Sequence, residues 1–172
     1  MLEIVDLHKT FNAGTANEVR SLQGVTLTIE AGSFVVVIGT NGSGKSTLLN
    51  AVAGTFLPDI GTIRIANQDV TRWPEHRRAR LIGRVFQNPF SGTAPNLTIA
   101  ENLALAARRG LGRGLRPVLS ASVRGAMHEA VRGLGMNLES RLDNVIGSLS
   151  GGQRQALTLL MATWRRPELL LL

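Results

Sequence analysis

The sequence predicts an α/β chain built around a phosphate-binding loop, with an antiparallel β subdomain flanking the loop and an α-helical insert following it. Three observations carry this reading. Alternating apolar residues fill the front third, Gly39-Thr40-Asn41-Gly42-Ser43-Gly44-Lys45-Ser46 interrupts them, and from Thr98 onward the apolar residues recur at helical spacing. Leu2, Ile4 and Leu7, then Val25, Leu27 and Ile29, read as half-buried strands, and the unbroken apolar run Phe34 to Ile38 reads as a buried strand feeding the loop.

Within the loop, glycines let successive backbone N–H groups converge on an anion. Lys45 then reaches the terminal phosphates. Ser46 opens a helix that continues through Thr47, Leu48, Leu49 and Asn50, so its hydroxyl can ligate magnesium while the helix dipole favours the same negative charge. The expected ligand is a nucleoside triphosphate with Mg2+. Such a loop alone leaves many P-loop enzyme classes undivided.

Further along, Pro58-Asp59-Ile60-Gly61 marks a turn, Thr62 to Ala66 alternates as a strand, Pro74 to Arg80 reads as a short charged helix, and Ile82 to Phe86 as a strand. Thr98-Ile99-Ala100-Glu101 is a capping box that starts a helix through Leu103 and Leu105, stopped by Gly110 and Gly112. A glycine- and arginine-rich connector, Gly110 to Pro117, leads to a second helix marked by Val123, Met127, Ala130, Val131 and Leu134. Ser150 is placed to cap a helix from Gly151 to Trp164, closed by Arg165, Arg166 and Pro167. The helix N-terminus at Leu149-Ser150-Gly151-Gly152-Gln153 would bind an anion as a second backbone site, although a capped helix after a glycine pair has a structural role in most proteins.

The chain has 172 residues, 44% apolar and 18% charged, which suits one folded domain. It has no cysteine, no run approaching a membrane-spanning length, and no basic-then-apolar leader after Met1. These features predict a cytoplasmic chain that does not itself cross a membrane. Net charge is +7, and among the 19 basic residues only Lys9 and Lys45 are lysines. Arg108, Arg109, Arg113, Arg116, Arg124 and Arg132 share their stretch with a single acid, Glu129. Composition bias with solvated faces explains this, as does an anionic membrane surface; nucleic acid is the weaker option, since no aromatic is interleaved.

The loop, a glutamine in Val85-Phe86-Gln87-Asn88-Pro89, and Leu149-Ser150-Gly151-Gly152-Gln153-Arg154-Gln155, in that order, resemble the ATP-binding subunit of an ABC transporter across the whole chain. The resemblance implies a P-loop NTPase core of ABC type. It divides the chain into a β subdomain and P-loop core (1–95), a helical subdomain (96–148), and a signature helix with the start of the Walker B strand (149–172). It also implies that Gly39 to Thr47 hold the ATP phosphates and magnesium, that Gln87 reaches the metal and the attacking water, and that Ser150 to Gln153 form the signature motif. Phe11 takes the place of an aromatic that stacks on adenine, with an ordinary strand-end side chain as the alternative.

In this family two copies pack head to tail and sandwich ATP between the P-loop of one and the signature helix of the other. The partners implied are a second copy, integral membrane permease subunits docked at Gln87 to Asn96 and the following helix, and an external solute-binding protein. The subunit would then lie peripherally on the inner face of the cell membrane. Asn17 to Arg20, Asn50 to Phe56, Ile82 to Gln87 and Ala156 to Thr163 look most like bacterial tryptophan/tyrosine importers, with branched-chain or other amino-acid importers next. A soluble ABC ATPase acting on ribosomes or DNA fits less well: no sustained heptad pattern lies between Asn50 and Gln153. A kinase would have no use for Leu149 to Gln153.

The sequence given closes on Pro167-Glu168-Leu169-Leu170-Leu171-Leu172, four leucines that look like the strand ending, in similar proteins, in an Asp-Glu pair. That pair and a later histidine are not among these residues, and His8, His76 and His128 stand at the wrong positions to replace the latter. The expectation is a fold incomplete at the C-terminus, a piece of a longer polypeptide with an aggregation-prone apolar edge. As it stands it should bind ATP without useful turnover. A phosphate-release assay on these 172 residues checks this; turnover abolished by Lys45→Ala would show that the carboxylates are dispensable.

Overall fold

A computed structural model describes residues 1–88, 90–111 and 119–172. Pro89 of the glutamine motif, Gly112 and Pro117 of the connector, and Arg113 and Arg116 of the arginine-rich stretch lie outside the described residues. The chain forms two compact units, Met1–Ile82 and Gly83–Leu172.

In the first unit, β1 (Leu2–Phe11), β2 (Val19–Ile29), β3 (Ile60–Ile65) and β4 (Gln68–Asp69) form an antiparallel sheet in the order β2-β1-β3-β4. Leu2 pairs with Ile29 and Ile65, and Ile4 with Leu27 and Ile63, so the inward face collects apolar side chains from three strands. The spacing Leu2, Ile4, Leu7 is not strictly alternating. The register shifts between Ile4 and Leu7, where Asp6 takes a φ of 49°, and this bulge returns Leu7 to the buried face.

Helix α1 (Lys45–Ala53) follows the phosphate loop and buries Ala51, Val52 and Ala53. Its last carbonyls meet a buried guanidinium. Arg78, on the short helix α2 (Glu75–Arg78), donates from Nη1 to Ala51 O (2.6 Å) and Val52 O (2.9 Å), from Nε to Trp73 O (2.9 Å) and from Nη2 to Thr71 O (3.0 Å). The cation stands at the negative end of the α1 dipole. Burial lowers its pKa to about 10, partly offset by Asp69, so it remains charged at neutral pH.

Phe34 to Ile38 corrects a sequence expectation. These residues form no strand and stay largely open to solvent, Phe34 at 82% and Ile38 at 88% exposure. The reason is that a strand exists only through its ladder, and no described strand pairs with this run. Its apolar residues meet the compositional requirement for a buried strand, and the hydrogen-bonding partners are what it lacks.

In the second unit, β5 (Ile82–Arg84) pairs with β6 (Leu169–Leu171), and Val85 N continues the ladder to Leu171 O at 2.9 Å. The rest is helical: α3 (Ile99–Ala107), α4 (Ala121–Arg132) and α5 (Gly151–Thr163) surround a core of Ile99, Leu103, Met127, Val131, Ile146 and Leu157. The capping box at Thr98 forms as the sequence indicates: Thr98 Oγ1 accepts from Glu101 N (3.2 Å) and Glu101 Oε2 accepts from Thr98 N (2.7 Å). The Thr98 N–H and the Thr98 hydroxyl (2.9 Å), both donating to Oε2, hold the Glu101 carboxyl below its usual range. The β5 strand ends two residues earlier than expected, and α1 begins at Lys45 rather than Ser46.

Replacing Arg78 by Met should destabilise the chain by about 3 kcal/mol, since buried carbonyls lose charge-assisted donors. Denaturant unfolding measures this; a change within about 0.5 kcal/mol would make the guanidinium irrelevant to the fold.

Candidate nucleotide site

The cradle is assembled at the N-terminal end of α1. Gly44 occupies the N-cap with a φ of 88° and no side chain caps the helix, which leaves the first-turn amides available to an anion. Gly44 also has no room for a side chain, because a Cβ there would come 2.6 Å from Ser21 O. Gly42 shares the left-handed conformation (φ 83°) but faces open space. At Gly39 a Cβ would meet Ser43 Oγ at 2.6 Å.

Lys45 Nζ folds over the loop, donating to Gly39 O and Thr40 O at 2.7 Å each and reaching Ser43 Oγ at 3.5 Å. One ammonium thus spans the residues that would surround the phosphates, with Asn41 exposed at the loop's crown. Ser46 is exposed, and its hydroxyl makes no hydrogen bond among the described residues. It is therefore free to ligate a cation. Thr47 is already engaged: its Oγ1 accepts from Ser21 Oγ at 2.7 Å and ties α1 to β2.

Phe11 closes β1 opposite Val19. Ser21, which touches both Gly44 and Thr47, lies two residues beyond Val19 on β2, a rise of roughly 7 Å. The β1–β2 ladder therefore brings Phe11 close to the cradle. Its partly buried ring meets Phe56, in the turn after α1, edge to face with centroids 5.2 Å apart. In the same turn Asp59 accepts from Lys9 Nζ (2.7 Å) and Thr10 N (2.7 Å), and these bonds keep its carboxyl below the usual range.

Gln87 and the Ser150 motif both fall in the second unit. Gln87 lies in an exposed bend after β5, and its side chain has no hydrogen-bond partner among the described residues. Ser150 caps α5, its Oγ accepting from Gln153 N (3.3 Å), while Gln153 Oε1 accepts from Ser150 N (3.2 Å). The sequence reading has the serine cap but not this reciprocal bond. Gly151 and Gly152 are exposed, with no heavy atom within 4 Å of a Cβ built on either, so the first turn offers bare backbone.

Two buried polar residues to which the sequence reading gives no role in the site, Arg154 and Asn102, hold this second grip in place. Arg154, 2% exposed, donates from Nη2 to Ile146 O (3.2 Å) and Gly147 O (2.9 Å), the turn leading into Ser150. Its guanidinium stacks 3.9 Å from the centroid of Phe90, and its Nε and Nη1 have no hydrogen-bond partner. Asn102, also buried, fastens the loop before α3: its Oδ1 accepts from Ala94 N (2.8 Å) and its Nδ2 donates to Thr98 O (2.9 Å). Gly147 N and Ile146 N donate to Pro95 O and Leu97 O, each at 3.0 Å, joining that loop to the approach of α5. Asn102 carries a detectable signal, because it stands three residues after Ile99 and four before Ala106 on one apolar face of α3.

Residues 22–172 match the family described as ABC transporter. The chain belongs to that family. As an ABC transporter ATP-binding domain it is 37% identical over all 172 residues to a tyrosine transport ATP-binding protein of Clostridioides difficile. It is 41% identical over 150 residues to the thiamine import ATP-binding protein ThiQ of Escherichia coli. It spans 68% of the first relative's length and 58% of the second's. Among solved structures, the ATP-binding cassette MJ0796, dimeric in a post-hydrolysis state with ADP and phosphate, superposes with a TM-score of 0.80 at 28% identity, covering 99% of this chain and 72% of that one. No helix among the described residues of this ABC domain is long and apolar enough to cross a membrane.

Gly44→Ala should weaken nucleotide binding at least about tenfold, because the Cβ collides with backbone as well as straining φ, whereas Gly42→Ala carries only the strain of about 1–2 kcal/mol. Calorimetric titration with ATP compares the two; equal losses would rule out the contact with Ser21 as the cause.

Proposed function

We propose that this domain is the ATP-binding subunit of a bacterial importer, closing on ATP as a head-to-tail pair. Gly39 to Thr47 grip the phosphates, with Lys45 transferring its hydrogen bonds from Gly39 O and Thr40 O to the terminal phosphates. The Ser46 hydroxyl would hold Mg2+, which when bound neutralises phosphate charge, and Gln87 keeps the metal and water role that the family resemblance implies. Phe11 stacks on the base. The bare first turn of α5, at Ser150 to Gln153, closes on the same ATP from a second copy.

The observation that carries this reading is the second helix terminus. Gly151 and Gly152 are open and the Ser150–Gln153 box fixes the first turn without covering it. One nucleotide has no evident need of two backbone anion sites on one chain, whereas two copies each supplying half a site use both. The dimeric MJ0796 cassette, found with ADP and phosphate, supports this arrangement. Loss of the γ-phosphate removes the charge that joins the copies, and separation is transmitted to membrane partners.

Permease subunits would dock at Gln87 to Asn96 and the helix that follows, keeping the subunit on the inner face of the membrane. An external solute-binding protein would deliver the cargo. The tyrosine transport relative favours an aromatic amino acid as that cargo, and the thiamine relative is the second reading.

Lys45→Ala should weaken ATP binding to a single chain by about ten- to a hundredfold, the loss of one or two charge-assisted hydrogen bonds. Ser150→Ala should leave that affinity within about twofold and reduce ATP-driven dimerisation. Titration of dilute protein, paired with sedimentation in ATP, separates the effects. Equal loss of single-chain affinity in both variants would overturn the sandwich.

A further inference from the structure

Behind Phe11 the chain assembles more than a strand end requires. Residues 57–59 are already fastened to β1 by hydrogen bonds from Lys9 Nζ to Leu57 O (3.0 Å) and Asp59 Oδ1 (2.7 Å), from Thr10 N to Asp59 Oδ2 (2.7 Å) and from Asp59 N to His8 O (3.0 Å). The backbone of the turn is thus held without any aromatic ring. Yet Phe56 meets Phe11 at an interplanar angle of 85°, and the Lys9 ammonium lies 5.6 Å from one ring centroid and 5.5 Å from the other.

We propose that Phe56 and Lys9 are positioning residues that set Phe11 as a purine platform, a step that rests on the base-stacking role given to Phe11 above. Edge-to-face packing fixes the tilt of the Phe11 ring, so an arriving base does not have to order it. A cation beside the ring draws on its π density, and a ring so depleted stacks better on an electron-rich purine than a bare phenyl does. Asp59 and Leu57 O hold the ammonium in that place. The position agrees with the ladder, since Phe11 stands two residues from the point where Ser21 touches Gly44 and Thr47.

The test is equilibrium binding of ATP, CTP and inorganic tripolyphosphate to the full chain and to Phe11→Ala, Phe56→Leu, Phe56→Tyr and Lys9→Met. Phe56→Leu and Lys9→Met should weaken ATP about three- to tenfold and narrow the preference for ATP over CTP, while tripolyphosphate affinity stays within about twofold. Phe56→Tyr, which keeps the ring, should retain ATP affinity. Equal losses for ATP and tripolyphosphate in Phe56→Leu would make Phe56 a purely structural residue and overturn the proposal. Should Phe11→Ala selectively weaken ATP while Phe56→Leu and Lys9→Met do not, this inference alone fails. Unchanged ATP affinity in Phe11→Ala would remove the base-stacking role and this inference with it.

Discussion

Helix α1 carries the phosphate cradle at one end and ends on a buried cation at the other. Its first turn contains no acidic residue and its last turn no basic one, so the helix brings no charge of its own to complement its dipole. Arg78 supplies the complement from α2, spending its donors on Ala51 O and Val52 O while reaching back to Trp73 O and Thr71 O. The guanidinium therefore fixes α1 against the segment 71–78. Ser21 fixes the opposite end through Thr47. Between these two anchors the cradle cannot tilt without breaking buried hydrogen bonds, and that rigidity lets loop amides meet a phosphate already in position.

The second grip is held by the same device. Arg154 clamps the carbonyls just before Ser150, and Asn102 secures the loop that runs antiparallel to them. Arg154 is the less settled of the two arginines, with two nitrogens lacking hydrogen-bond partners beneath Phe90, a ring that is 59% exposed. A half-satisfied buried cation is costly, and the aromatic face compensates only in part. The approach to α5 is consequently tied to whatever fixes Phe90, three residues beyond Gln87.

Much of this was legible in the sequence, because the strongest signals are local. Gly39 to Ser46, the serine cap at Ser150 and the box at Thr98 each depend on residues within one turn of themselves, and each forms where the spacing indicates. Phe34 to Ile38 shows the limit: its composition is that of a buried strand, but strand identity belongs to a ladder and so to residues elsewhere. The buried polar residues fail for a related reason. In Glu75-His76-Arg77-Arg78-Ala79-Arg80 three arginines look alike; Arg77 stacks 3.9 Å from the Trp73 centroid and Arg78 alone turns inward. Nothing in a four-residue helix marks which one. Asn102 differs, since its place between Ile99 and Leu103 on the inward face of α3 could have been read as a buried polar anchor.

The preference for arginine over lysine takes on a physical sense from these positions. Arg109 donates to Ala162 O at the end of α5 (2.9 Å), and Arg165 donates to Ala107 O at the end of α3 (3.2 Å), so each helix is closed by the arginine that follows the other. Burial and the neighbouring Arg165 both lower the pKa of Arg109, the mark of two cations held close together by carbonyls rather than by acids. Arg124 pairs with Asp143 (2.8 Å) and Arg132 with Glu129 (2.6 Å). A planar guanidinium can serve several carbonyls from one fixed fork, which a lysine ammonium cannot match without losing hydration. Arg109, Arg124 and Arg132, which in the sequence suggest a basic face, are thus directed at helix ends and carboxylates.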